Sequence, residues 1–226
     1  MRRASEMFTA EDRARINRAI VSAESKTSAE ILAVVATDSG RYDRAEDIFG
    51  LWLGLLCLAG VWFGFPTPGA PDRDSWSESS ASLQLVAMIG AVIGGFVLGS
   101  LIAGRIPALR RLCTPRAQLH DEVAVRARSV FFDKRVHHTA GASGLLIYVS
   151  LFERVATVLG DQTVVKNFGE DAIQSLCTQL TTSLATLSPT EALCATIETA
   201  GEQLALVMPR ERSDANELVD ALVTID

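Results

Sequence analysis

The stretch IFGLWLGLLCLAGVWFGF, Ile48 to Phe65, runs for 18 positions without a charged residue, and LQLVAMIGAVIGGFVLGSLIAG, Leu83 to Gly104, runs for 22. At a helical rise of about 1.5 Å per residue these reach roughly 27 and 33 Å, close to the thickness of a hydrocarbon core. Two all-round apolar cylinders could otherwise be buried only in a large soluble protein, and the remaining chain, about 170 residues, is too small to enclose them. The pair therefore reads as a transmembrane helical hairpin, residues 48–104, with a Pro-, Gly- and Ser-rich loop over residues 66–82.

Working outward, Arg41 and Arg44 precede the first run, and Arg105, Arg110, Arg111 and Arg116 follow the second, whereas the loop holds only Arg73. Basic residues are retained on the cytoplasmic side, so both termini are expected in the cytoplasm, with two spans in the inner membrane. Trp52, Trp62 and Trp76 fall near the span ends, where indoles favour the interface. Glycines recur at fourth positions, Gly50 and Gly54, Gly60 and Gly64, Gly90 and Gly94, Gly95 and Gly99, a spacing that lets the spans pack closely on each other or on a second copy. Neither span carries an ionisable residue, which argues against an ion or proton path.

Before the hairpin, Thr9-Ala-Glu-Asp12 is a helix start, and Ile16, Ala19, Ile20 and Ala23 continue it at helical spacing to about Lys26. Ala29 to Thr37 is short and continuously apolar, as in a strand covered on both faces, and Asp38-Ser39-Gly40 ends it. After the hairpin, His120 to His138 reads as a helix with Val123, Ala127, Val130 and Phe131 as its apolar stripe. Gly144 to Phe152 and Val155 to Leu159 are two strands joined at a Glu153-Arg154 corner. A helix then runs from Asp161 or Gln162 to Leu187, with Gly169 as a break point. Ser188-Pro-Thr-Glu191 combines a cap, a first-turn Pro and a capping-box Glu, and starts the next helix. Ser213 is expected to cap a short last helix carrying Leu218, Leu222 and Val223.

The formal net charge of −6 leaves no basic field for a nucleic-acid backbone. Cys57, Cys113, Cys177 and Cys194 stand alone, without zinc-finger spacing, as in a reducing compartment. No P-loop, dinucleotide fingerprint, serine-hydrolase elbow or HExxH motif is present. The remaining constellation is acidic: Glu30 opens the first strand, Asp38 ends it, Glu153 sits at the corner and Asp161 follows the third strand. Were Asp38 and Asp161 to converge at one edge of the sheet they could hold Ca²⁺ or Mg²⁺, with Arg154 available to a phosphate or carboxylate. The alternative is that both Asp residues make turns, that Glu153 and Arg154 form a surface pair, and that His137-His138 is a solvated helix end.

The stretches FTAEDRARINRAIVSAESKTSAEILAVVATDSGRYDRAED and SGLLIYVSLFERVATVLGD, in that order and followed by two helices, resemble the TPM domain family, its bacterial membrane-bound branch above all. That resemblance implies an α/β fold, a three-layer α/β/α sandwich with a small mixed sheet, here interrupted by the hairpin. Residues 1–47 and 105–226 would form its two cytoplasmic parts. Some plant members of the family are assigned acid phosphatase activity or metal binding, which gives a metal-dependent phosphatase at the membrane surface as the alternative. The expected function, with no catalytic motif in the chain, is an interaction or assembly module at the inner face of the membrane, with a protein partner or a second copy. Many relatives place the domain outside the cytoplasm behind a signal peptide, whereas this chain opens directly into an amphipathic helix and its spans interrupt the domain after the first strand.

Overall fold

The computed structural model describes residues 3–64, 77–139, 141–210 and 221–226. In chain order its elements are α1 (Ala4–Met7), α2 (Ala10–Glu24), β1 (Glu30–Ala36), α3 (Asp43–Gly64), α4 (Ser77–Arg105), α5 (Pro107–Cys113) and α6 (Arg116–Asp133). A 3-10 turn at Val136–His138 is followed by β2 (Gly144–Ser150), β3 (Val155–Gly160), α7 (Gln162–Phe168), α8 (Glu170–Thr186), α9 (Pro189–Val207) and β4 (Val223–Ile225). The chain divides into two units, Met1–Gly40 with Ala117–Asp226, and Arg41–Arg116.

The first unit is built on a four-stranded mixed sheet in the order β3-β2-β1-β4. β1 runs parallel to β2 and β4, and β2 runs antiparallel to β3. Every residue of β1 and β2 is buried, which is why both read as unbroken apolar runs rather than alternating ones. Alternation appears instead in what each side chain meets. Ile31, Ala33, Val35, Leu145 and Ile147 join the core formed with α2, α8 and α9. Leu32, Val34, Leu146 and Tyr148 face Val123, Ala127, Val130 and Phe131 of α6. The result is the expected α/β/α layering, with each large core side chain contributing about 1.5–3 kcal/mol by burial.

Local chemistry fixes the helices. Thr9 and Asp12 close a capping box on α2, and Ser188 and Glu191 close one on α9, where Pro189 takes the first turn. Gly169, at φ 87°, separates α7 from α8 at a backbone angle costly for a residue with a Cβ. α2 and α9 cross closely at Gly201, where an added Cβ would lie 2.5 Å from the Ala23 Cβ.

The carboxyl end departs from expectation. Val223, predicted to continue a short helix, begins β4, because β-branched Val223, Thr224 and Ile225 pair with Val34, Val35 and Ala36 on the open edge of β1. The Ser213 cap and Leu218 lie outside the described residues, as do residues 65–76 of the inter-span loop, Trp76 among them. α1 and α5 were not foreseen; each is only a turn or two long and has no apolar periodicity to read.

The second unit pairs α3 with α4. Both helices are long and apolar enough to span a membrane, and only 11% of each apolar window is buried. They approach through glycine: a Cβ on Gly95 would lie 2.8 Å from the Gly54 Cα, and one on Gly99 would lie 2.8 Å from the Gly50 Cα. A Cβ on Gly60, Gly64, Gly90 or Gly94 would meet nothing within 4 Å among the described residues. The two ends of the unit are joined by an ion pair of 3.2 Å between Arg110 and Glu46, with the Arg110 guanidinium 5.9 Å over the Tyr42 ring.

The caps make a prediction about acid. The Thr9 hydroxyl holds Asp12 below the usual carboxylate range, and the Ser188 hydroxyl does the same for Glu191. Because the folded state lowers both pKa values, their stabilisation is present above the unfolded values, about 4, and is lost as pH falls through the folded ones. Circular dichroism melts of the detergent-solubilised chain should show stability falling below about pH 4. Asp12→Asn and Glu191→Gln together should flatten that fall.

Candidate functional site

The strand register decides which acidic residues can meet. Glu30 lies beside Gly144, and Gly160 lies opposite Leu145, so Glu30 and Asp161 stand where β1 and β2 begin. Asp38, Glu153 and Arg154 stand at the opposite end, where those strands finish. Seven residues at about 3.3 Å each put roughly 20 Å between the two ends. Asp38 and Asp161 therefore do not share a cation, contrary to the sequence expectation, because β3 runs antiparallel and returns the chain to the starting edge. Among the described residues no group of three or more His, Cys, Asp or Glu is placed to hold a metal ion, Ca²⁺ and Mg²⁺ included.

At the finishing end the β2–β3 corner turns through Arg154 in the left-handed region, φ 55°, and tucks Glu153 inward to 2% exposure. Glu153 Oε1 accepts the Ser39 amide at 2.8 Å, and Oε2 accepts the Ser150 hydroxyl. Ser39 Oγ donates to Ser150 Oγ at 2.8 Å and lies 2.9 Å from the Tyr148 hydroxyl. A one-way donor chain satisfies all of these contacts: Tyr148 to Ser39, Ser39 to Ser150, Ser150 to Glu153. Burial pushes the Tyr148 phenol up, against the pull of its Ser39 hydrogen bond, so it stays protonated and able to donate. In this arrangement the Ser39 and Ser150 hydroxyl protons are both committed, and the group pins the end of β1 to the β2–β3 corner. Glu153 was visible in the sequence as a candidate. Its partners were not, although Tyr148 and Ser150 are polar groups two apart on one face of a buried strand.

Arg154, exposed, does not join the acidic residues. It lines a hollow of about 300 Å³ at the β3 edge with His120, Gln174, Cys177, Thr178 and Thr181. Thr178 and Thr181 donate to carbonyls of their own helix, at 2.9 Å each. Cys177 Sγ donates to the Ala156 carbonyl at 3.3 Å, and burial raises its thiol pKa, as it does that of Cys194. Cys194 is buried and Cys177 partly so, and both thiols are favoured over their thiolates.

At the starting end Glu30 is buried, and its amide donates to the Ser143 carbonyl at 3.2 Å. The neighbouring Glu24, the last residue of α2, is also buried, and its Oε1 accepts the Ile31 amide at 2.8 Å. Asp161 caps α7: its Oδ1 accepts the Gln162 amide at 2.7 Å, while its own amide donates to the Gly144 carbonyl at 2.8 Å. His137 packs edge-on against Phe132, with ring centroids 4.9 Å apart, beside this end of the sheet. His137 and His138 sit in the 3-10 turn with centroids 6.2 Å apart.

No protein-family model and no curated protein matches the chain. Its architecture is similar to that of the BA42 protein from the psychrophilic bacterium Bizionia argentinensis, known from an NMR structure, at 18% identity and a TM-score of 0.56 over 96% of this chain and 95% of that one. At that identity the likeness is one of fold.

Two substitutions separate the pinning role of Glu153 from its corner. Glu153→Ala leaves the Ser39 amide and the Ser150 hydroxyl without their acceptor, and thermal or denaturant unfolding should register a loss of about 2–4 kcal/mol. Arg154→Gly relieves the left-handed backbone and should leave the protein at least as stable, with a gain of about 1 kcal/mol.

Proposed function

We propose that this chain is a membrane-anchored, TPM-like protein that works as an interaction or assembly module at the inner face of the membrane, with both termini in the cytoplasm. The observation that carries the reading is the place of the hairpin in the chain. β1 ends before it and β2 follows it, yet the two are parallel neighbours along their whole length. An anchor inserted between adjacent strands of one sheet couples the domain to the bilayer through two connections rather than one tail.

The apolar surface supports the membrane part of the proposal. Leu56, Trp52, Trp62 and Phe63 of α3 and Leu83, Val86 and Ile93 of α4 are each more than half exposed, far more apolar surface than a water-facing helix pair carries. The excess of Arg flanking the spans over Arg in the loop supports the orientation. For the domain itself, the separation of Asp38 from Asp161 and the commitment of Glu153 to Ser39 and Ser150 favour a module over a metal-dependent phosphatase.

Orientation is read by impermeant thiol labelling of intact cells, in a background with the four native cysteines replaced. Ser77→Cys, between the spans, should label from outside, and Glu202→Cys, on the exposed face of α9, should label only after lysis. The reverse pattern would overturn the orientation. The module reading is tested by crosslinking and detergent pull-down of the full chain alongside a phosphomonoesterase assay with Mg²⁺ or Ca²⁺. A reproducible partner or self-association without metal-dependent turnover supports it. Turnover abolished by Asp161→Ala would overturn it in favour of the phosphatase.

A further inference from the structure

Beside Asp161 the first unit opens a cleft of about 670 Å³ lined by Phe131, Phe132, His137, Ala142, Asp161, Val165 and Lys166 among others. Three features of this cleft are not used by the fold. Asp161 is only 9% exposed, yet its Oδ2 has no hydrogen-bond partner among the described residues, while Oδ1 is spent on the α7 cap. A buried carboxylate oxygen without a donor is uncommon and costly, and it asks for an N–H or a cation. Lys166 is exposed and makes no ion pair among the described residues. The third feature is aromatic: Phe132 is 61% exposed and stands edge-on to Phe131 at 6.0 Å and to His137 at 4.9 Å, so part of a three-ring cluster is offered to the cleft rather than to the core.

The rim is fixed. Ala142 holds a left-handed backbone, φ 48°, and its carbonyl accepts the Thr163 amide at 3.2 Å, while the Gly141 carbonyl accepts the Thr163 hydroxyl at 2.8 Å. These two bonds tie the wall before β2 to the first turn of α7. Strained backbone held by its surroundings beside a cleft is a common mark of a binding site.

Charge and composition narrow the occupant. A simple anion would meet the Asp161 carboxylate, and a simple cation would meet the Lys166 ammonium. A hard divalent ion would find one carboxylate in the lining where it needs several oxygens. A molecule carrying both charges and an apolar body satisfies all three features at once. We propose that this cleft binds a small zwitterion of the α-amino-acid type with a large apolar or aromatic side chain: its ammonium on Asp161, its carboxylate toward Lys166, and its side chain against Phe131, Phe132 and Val165. Asp161 caps the amino end of α7 and Lys166 lies in its last turn, five positions on and about 7.5 Å along the axis, and both line the cleft. This inference stands apart from the membrane reading and does not require it.

Isothermal titration of the full chain in detergent with L-phenylalanine and L-leucine tests it. Saturable binding of at least one is expected, with phenethylamine and 3-phenylpropionate, which each lack one charge, weaker by about tenfold or more. Asp161→Asn keeps a good helix cap and should fold; it should lose binding by about tenfold or more, as should Lys166→Met. Val165→Trp, which fills the cleft from a partly exposed position, should abolish binding without loss of the folded circular dichroism signal. Absence of saturable binding by both amino acids would overturn the proposal. So would binding unchanged by Asp161→Asn and Val165→Trp, or a Ca²⁺ titration that requires Asp161 while neither amino acid binds.

Discussion

The constraint on which the rest depends is the parallel pairing of β1 with β2. Parallel neighbours cannot be joined by a tight turn, so some crossover is obligatory, and α6 supplies it by covering one face of the sheet. What is unusual is that the crossover also contains two long apolar helices. The sheet tolerates them only if the chain leaves and rejoins at nearby points. It does: a Cβ on Gly40 would lie 2.8 Å from the Glu122 Cγ, which puts the exit from β1 against the early turns of α6, where the chain comes back. The second unit closes its own ends independently through the Glu46–Arg110 pair and the Arg110 stack on Tyr42. Two helices packed antiparallel, Gly99 on Gly50 and Gly95 on Gly54, bring the chain back to the end it left, and one would not.

The exit point also explains why a carboxylate is buried there. Where β1 ends, the ladder to β2 runs out, and the amide of Ser39 would be left unsatisfied in a half-buried position. Glu153 supplies the acceptor from the β2–β3 corner, and the hydroxyls of Ser150, Ser39 and Tyr148 fill the rest of its shell and one another's. Burying an ionised carboxylate costs several kcal/mol unless its lone pairs are met. Here each oxygen has a donor, so the cost is offset and the last turn before the insertion is locked in one geometry. The left-handed Arg154 belongs to the same solution, since the corner must fold Glu153 inward.

How much of this could be read from residues alone depends on whether the signal was local. The two long apolar helices, the capping boxes at Thr9 and Ser188 and the break at Gly169 are written in adjacent residues, and each stands where the sequence places it. The buried strands were legible because a covered strand needs an unbroken apolar run. β4 was not, since Leu222 and Val223 fit a helical spacing and only pairing with β1 selects the extended form. The acidic constellation failed for a related reason. Asp38 and Asp161 both follow strands, which suggests a common edge, but the direction of β3 relative to β2 puts them apart, and that direction is a tertiary fact. Ser39, Tyr148 and Ser150 look unremarkable one by one; their role exists only when the ends of β1 and β2 are brought together.

The glycines of the apolar helices divide in the same way between what spacing states and what packing decides. Four pairs share one interval, but among the described residues only Gly50, Gly54, Gly95 and Gly99 are consumed where α3 meets α4: a Cβ on Gly50, Gly95 or Gly99 would lie within 2.8 Å of a neighbour, and one on Gly54 would lie 3.0 Å from the Val92 carbonyl oxygen. Glycine is a poor helix former, about 1 kcal/mol worse than Ala, so each must be justified by an approach that a larger residue would prevent. A Cβ on Gly60, Gly64, Gly90 or Gly94 would meet nothing within 4 Å among the described residues, so the described part of the hairpin offers them no such justification. Self-association in the proposed module would therefore use a face of the hairpin other than the one that closes it.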